Sequence, residues 1–465
     1  MSENTERSTT VDPYTLTPDG IKEPPVGWRE SARYFGPGLI LSASIVGSGE
    51  LIATTTLGAQ AGFVLLWLVI ISTLVKVAVQ IELARWTIAT GQPALTGYAK
   101  VPPRIGGIGW VNLLWAVLAL SKLLQLGGII GGVAVAFSIL LPIGGDPLGF
   151  TSLLIWTSVI AIGSIAMLYS NRYSLIERGA VALVVIFSAV TVLIALGLPA
   201  TPFAYSAGDI GSGLMFLIPA GTLGAALAMF GITGAARRDH LLHLLVRREG
   251  LCPLGGSERR QRGVGSPGQR LDQGHVQGRD GVVGDLHLRH AGVLPDGRGR
   301  AAATGPRARG NGMITTLSRI YTDTLGEWAS VVFLVGAIAV LGSTMWAAIP
   351  SWARMYTNLL ATFGVLDWQD PVARLKWIRI FTVALPILWA VFYLTIQSPV
   401  IMVQIAGVMT GIFLVGVVWA VYWLRKNETD PRLHGGRAFA VFLGISSVAI
   451  ALLGIYSLAN VIGIV

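Results

Sequence analysis

The chain is short of charge and has almost no cysteine. Asp, Glu, Lys and Arg make up 12% of its 465 residues, against 53% hydrophobic. So small a charged fraction excludes a soluble globule, and the hydrophobicity recurs in separate blocks, as in an integral membrane bundle. The single cysteine, Cys252, excludes an intrachain disulfide. Residues 1–35 lack a short apolar core ahead of a small-residue cleavage site. They are polar, with Pro and charges of both signs, and read as a cytoplasmic N-terminal tail rather than a signal peptide.

What is present is a series of apolar segments. They fall at about 36–60, 63–90, 109–141, 150–168, 175–198 and 212–236, then 327–356, 378–397, 399–424 and 437–463. A spanning helix needs about 20 apolar residues, so these are ten intact spans of an all-α polytopic protein. The first is interrupted at its centre by Gly47-Ser48-Gly49-Glu50. Glycines weaken a helix there, and the freed backbone groups are tolerated only where protein, water or ligand satisfies them. An intramembrane carboxylate on a broken helix points to a transporter's binding site. Glu50 either binds a cation or pairs with Lys122 or Lys76, because such a carboxylate is costly alone. Gly47 and Gly49 either expose backbone at the break or serve close helix packing. The close spacing of Gly127-Gly128 and Gly131-Gly132 reads as helix contact.

Charge orients the bundle, since Lys and Arg favour cytoplasmic loops. With the N-terminus inside, Lys100, Arg104, Arg172 and Arg178 lie in inside loops, and Asp146 and Asp209 lie outside. After the sixth span the rule fails. Arg354, Arg374, Lys376, Arg379, Arg425 and Lys426 would all lie outside unless the chain crosses once more between 237 and 326.

That stretch is itself anomalous. Residues 237–310 hold 14 Arg, no Lys, 15 Gly, five of the six His and the only Cys, and their 7 acidic residues leave +7 of the chain's +10. Such a composition is what a GC-rich gene yields when read out of frame. With suitable codons for Val276 onward, a one-base shift can be read as SKDVMASWVIYTFATLAFYLMGAAVL, an apolar run of spanning length. The expectation is a frameshift over 237–310 that erased a seventh span and truncated the sixth, leaving a disordered segment. Spans 1–6 then occupy 36–236 and spans 8–11 occupy 311–465. Cys252, His275, His287 and His290 lack zinc-ligand spacing.

The residues Phe35-Gly36-Pro37-Gly38, Gly58-Ala59-Gln60, Gly62, Leu65-Leu66-Trp67, Gln80, Ala84-Arg85 and Ala89-Thr90-Gly91 resemble the opening of the Nramp (natural-resistance-associated macrophage protein) family of divalent-metal transporters. The resemblance implies a LeuT-like fold of two inverted five-helix repeats, with broken first and sixth helices and an eleventh helix. It also implies a secondary transporter and not an enzyme, which moves a cation by alternating access, without a resident cofactor. The site motifs depart from the family. Its Asp-Pro-Gly-Asn is Gly47, Ser48, Gly49 and Glu50 here, and Phe230 to Ala235 shows no Met-Pro-His. Its acidic proton-path positions match Lys122 and Gln125. Loss of soft sulfur shifts the expected ion toward hard ones such as Mg²⁺. Alternatively, Lys122 replaces a bound ion, and the substrate is not a divalent metal.

Further candidates are Gln404, facing the cavity or a neighbouring helix, and Lys76 in the ion path. Arg379 is a gate or an interfacial anchor, and Glu82 with Arg85 is an interfacial ion pair. The expected setting is the cytoplasmic (inner) membrane of a bacterium, as a monomer, with lipid and a small inorganic cation as partners and no nucleic acid. The competing classes are an inactive frameshifted product and a membrane scaffold or receptor using 237–310 as a basic loop.

Overall fold

The computed structural model describes residues 47–169, 204–233 and 326–463, with a few further positions in 189–200 and 312–322. The anomalous 237–310 stretch, with Cys252, His275, His287 and His290, lies outside the described residues, as does most of the fifth span.

Among the described residues, seven helices are long and apolar enough to cross a membrane. They are α2 (Leu66–Thr90), α4 (Trp110–Leu140), α5 (Phe150–Tyr169), α8 (Trp328–Thr362), α9 (Pro371–Ile396), α10 (Pro399–Asn427) and α11 (Arg437–Val461). Local chemistry sets their ends. Gly91 closes α2 at φ +64°, returning its N–H to Thr87 O. Asp370 accepts from Val372 N and Ala373 N, with Pro371 opening α9. α8 and α9 run longer than the apolar runs at 327–356 and 378–397. Polar ends such as Arg374, which donates to Trp368 O at 2.7 Å, continue the helix past the apolar part. A short helix α3 (Ala94–Lys100) and the paired strands Arg104–Ile105 and Ile108–Gly109 lead from α2 into α4.

The centre of the bundle is α4, whose small residues admit its neighbours as their spacing implies. A Cβ on Gly127 would stand 3.1 Å from Trp389 O, on Gly128 2.8 Å from Pro399 O, and on Gly131 2.1 Å from the Tyr393 ring. These contacts fix directions. α9 runs parallel to α4, and α10 runs antiparallel, since Gly416 packs on Leu114 and Pro399 on Gly128. α8 is also antiparallel, with Leu341 beside Gly132 and Trp352 stacked on Trp115. The end of α10 therefore returns to α3, where Lys100 Nζ meets Glu428 Oε2 at 2.7 Å. Beyond it the exposed Asp430 carboxyl, hydrogen-bonded by the Arg432 side chain and backbone, is held down at about 2.

The two interrupted spans differ from expectation in form. Residues Gly47–Thr54 are π-helical, followed by α1 (Thr55–Ala61), so the first helix is widened over 47–54 rather than unwound. Thr56 Oγ1 donates to Ile52 O at 2.6 Å, a side-chain bond that competes with regular helix pairing. The sixth segment is not continuous over 212–236. A capped turn α6 (Ala207–Ser212) gives way to irregular chain containing Pro219 and Gly221 (φ +79°) before α7 (Leu223–Ile232). α7 runs parallel to α2, with Trp67 Nε1 donating to Leu217 O at 3.1 Å and Lys76 reaching Thr233 O.

These directions bear on the missing crossing. Thr233 is heading for the end of the bundle that holds Lys100. Trp328 starts α8 at the opposite end. The described helices thus leave off at Thr233 and resume at Trp328, at opposite ends of the bundle.

Candidate functional site

The π-helical turn packs against α7, α8 and α10, so both interrupted spans meet in the interior. Backbone geometry places Gly47, Ser48, Gly49 and Glu50 on that turn; their side chains lie outside the described residues.

Facing the junction from α2 is Lys76, 1% exposed. Its ammonium donates to Phe230 O and Thr233 O and sits 4.6 Å from the Phe230 ring centroid. α7 ends at Ile232, so its last carbonyls have no intrahelical N–H partner. The lysine satisfies two of them at the negative end of the helix dipole. Beside it, Ser72 Oγ lies 2.8 Å from Thr233 Oγ1 and donates to Met229 Sδ at 3.8 Å.

Lys122 is also 1% exposed and bridges α4 to α10. It donates to Gln125 Oε1 at 2.9 Å, to Ala406 O at 3.0 Å and to Thr410 Oγ1. Lys122 and Gln125 are thus brought together as one polar cluster. Gln404 is half-buried two residues before Ala406, and Arg379 is exposed on α9, away from this interior.

Glu82 and Arg85 form the expected ion pair, and it is buried within the protein. Glu82 is 2% exposed. Its Oε2 takes Arg85 Nη1 and lies 2.6 Å from Arg425 Nη1 of α10. Arg425 Nη2 donates to His434 O at 2.7 Å, and the Arg85 guanidinium stacks 4.6 Å from the Phe439 ring. The chain from α10 to α11 folds over the pair and removes it from solvent.

Three contributors went unread in the sequence. Met229 directly precedes the Phe230–Ala235 stretch that shows no Met-Pro, and it is a fully buried thioether in the last turn of α7. The inference that soft sulfur is lost from this segment is therefore corrected. Thr410 carried no signal beyond its polarity in an apolar span. Arg425 was visible only as a loop charge. Among the described residues, no group of three or more His, Cys, Asp or Glu could hold a metal ion.

Comparison with known proteins gives a consistent assignment. The sequence model of the natural resistance-associated macrophage protein-like (Nramp) family matches residues 38–244. The divalent metal cation transporter MntH of Mycobacterium tuberculosis is 27% identical over 409 residues, covering 86% of this chain and 84% of that protein. Over 81 residues, 17% of this chain and 14% of the relative, the Arabidopsis thaliana metal transporter Nramp2 is 36% identical. In fold, the Eremococcus coleocola manganese transporter superposes with a TM-score of 0.64 at 16% identity, covering 94% of this chain and 89% of that one. MhsT in complex with L-phenylalanine gives a TM-score of 0.53 at 16% identity, over 94% and 99% of the two chains. The fold is LeuT-like, and the chain is a multi-pass membrane protein whose residues 38–244 match the Nramp family of transporters.

Proposed function

We propose that the protein carries a divalent cation across the bacterial inner membrane by alternating access, with the N-terminus cytoplasmic and the chain acting as a monomer. The observation that carries this reading is the meeting of two interrupted helices in the interior, the π-helical Gly47–Thr54 turn and the end of α7. Interrupted helices place backbone groups and half-helix ends where an ion can use them. Glu50, on that turn, supplies the negative charge and Gln404 a neutral oxygen. Relatives named as metal transporters support the substrate class.

The ion we favour is hard and oxygen-seeking, such as Mg²⁺. A sulfur at the junction, Met229 Sδ, accepts from the Ser72 hydroxyl on α2. Uptake into proteoliposomes loaded with an ion-sensitive dye tests both statements. In the frame-restored protein, Glu50→Gln should lower divalent uptake at least about tenfold, the effect of losing a ligand-shell contact to a metal. Met229→Ala should leave the ratio of Mg²⁺ to Mn²⁺ uptake within about twofold. A collapse of Mn²⁺ or Cd²⁺ transport in Met229→Ala would instead make the sulfur a ligand, since thioethers select softer metals.

We also propose that 237–310 is an out-of-frame stretch and that the chain as encoded cannot complete the cycle. Both loop charge and helix directions call for a crossing that its residues do not supply. Resequencing codons 230–315 should show one inserted or deleted base at each end. The frame-restored protein should transport, and the encoded one should not. A confirmed frame with full uptake would overturn the proposal.

A further inference from the structure

We infer that the carboxyl end of α7 is a monovalent-cation site whose occupant is the tethered ammonium of Lys76. This concerns the co-ion requirement of the junction and rests on the reading of that junction as the transport site. The surroundings of the ammonium are those of a monovalent-ion site. Two main-chain carbonyls, of Phe230 and Thr233, point at Nζ, and the face of the Phe230 ring lies 4.6 Å away. Ser72 Oγ and Thr233 Oγ1, 2.8 Å apart, add hydroxyl oxygens next to the same helix end. Carbonyl oxygens, hydroxyl oxygens and an aromatic face are ligands for a weakly hydrated single charge. Phe230 lies in the last turn of α7 and Thr233 caps it, where the helix dipole favours positive charge. Burial to 1% exposure keeps water from substituting for the ligand.

A lysine in this position has a mechanical consequence. A mobile ion would have to arrive, order the broken helix and leave on every cycle. The ammonium is anchored to α2 and holds the end of α7 permanently. The junction is then fixed without a sodium or potassium ion, and transport of the substrate is indifferent to both. Removing the charge while keeping the length of the side chain should expose the carbonyls and turn an internal ligand into an external requirement.

The test is Lys76→Met in the full-length, frame-restored protein, purified in detergent. Thermal unfolding is followed in NaCl, KCl or choline chloride at equal ionic strength. Lys76→Met should gain about 3 °C or more in Na⁺ or K⁺ over choline, as expected for a ligand that binds only the folded state. Wild type and Lys76→Arg, which keep a cation there, should shift by less than about 1 °C on the same scale. A folded Lys76→Met whose melting is the same in all three salts overturns the inference. If Lys76→Met yields no folded protein in any salt, proteoliposomes of the frame-restored protein with Lys76 intact decide. Substrate uptake that changes more than about twofold when Na⁺ and K⁺ are replaced by choline overturns it, and constancy within that factor upholds it. Loss of divalent uptake in Glu50→Gln is a separate readout, so a failure of the metal-transport reading does not masquerade as a failure of this one.

Discussion

Gly231→Ala is expected to abolish the well-folded protein. α7 crosses α10 at this residue, and the approach is backbone to backbone. A Cβ on Gly231 would stand 1.7 Å from Gly407 O, and a Cβ on Gly407 would stand 2.4 Å from Ala228 O. Overpacking a core by a methylene costs about 1–3 kcal/mol where side chains can move aside. Here the obstructing atoms are carbonyls of the facing helices, so relief requires the two helices to separate. The crossing also lies within two residues of Thr233, so separation would displace the carbonyls that Lys76 holds. We expect a loss above about 3 kcal/mol, a large share of a typical stability of about 5–15 kcal/mol. Size-exclusion profiles and thermal unfolding in detergent measure it. The contrast comes from Gly163 and Gly444, in α5 and α11, where an added Cβ meets nothing within 4 Å. Alanine there should be neutral or stabilise by about 0.5–1 kcal/mol through helix propensity. Equal damage at all these glycines would mean that helix flexibility, not the close crossing, is what Gly231 provides.

The contrast between these glycines shows what the sequence could and could not disclose. Long apolar runs made α2, α4, α5, α10 and α11 legible to within a few residues, because length and hydropathy alone decide a span. The Gly127–Gly132 face of α4 was legible too, since small residues at helical spacing have few other uses in a membrane. Gly231 carried no such pattern. Its partner, Gly407, is 176 positions away and sits in another apolar helix. The end of α8 and the start of α9 were not legible, because polar residues continue each helix past its apolar run, and α7 is shorter than its apolar segment because Gly213, Pro219 and Gly221 lie among apolar neighbours. Of the site, the weakness at Gly47–Glu50 and the charged residues inside spans were visible, because each breaks a local rule. Their partners were not. Lys76 is satisfied by carbonyls of Phe230 and Thr233, groups that every residue possesses and no sequence marks. Met229 was overlooked because a methionine in an apolar helix is unremarkable until the helix is seen to stop just after it.

Glu82→Ala should be the most destabilising side-chain truncation at the α3 end of the bundle. Its carboxylate lies between Arg85 of α2 and Arg425 of α10, with Arg425 Nη1 at 2.6 Å and the carboxylate 2% exposed. Truncation would leave two guanidinium groups in a space closed by the chain leading to α11. Breaking a buried pair in this way costs about 3–5 kcal/mol, mostly through the charge left behind. Arg85 retains the Phe439 ring and a 3.5 Å contact to His434 O. Arg425 retains His434 O at 2.7 Å. His434 O is not anionic, so it does not cancel the Arg425 charge. The Lys100–Glu428 pair nearby is a useful comparison, since its side chains are 30% and 24% exposed. Partly solvated pairs of that kind contribute about 0–1 kcal/mol, and Glu428→Ala should scarcely move the melting temperature. Replacing both members of the buried link, as Glu82→Leu with Arg425→Leu, should recover part of the loss, because an apolar contact does not need the missing charge. The double-mutant cycle read by thermal unfolding therefore separates two accounts. If the double variant is more stable than Glu82→Ala, the stranded charge dominates. If it is as unstable as the sum of the single losses, the link between α2 and α10 is itself what holds that end closed, and a conformational cycle that opens there must break this ion pair on every turnover.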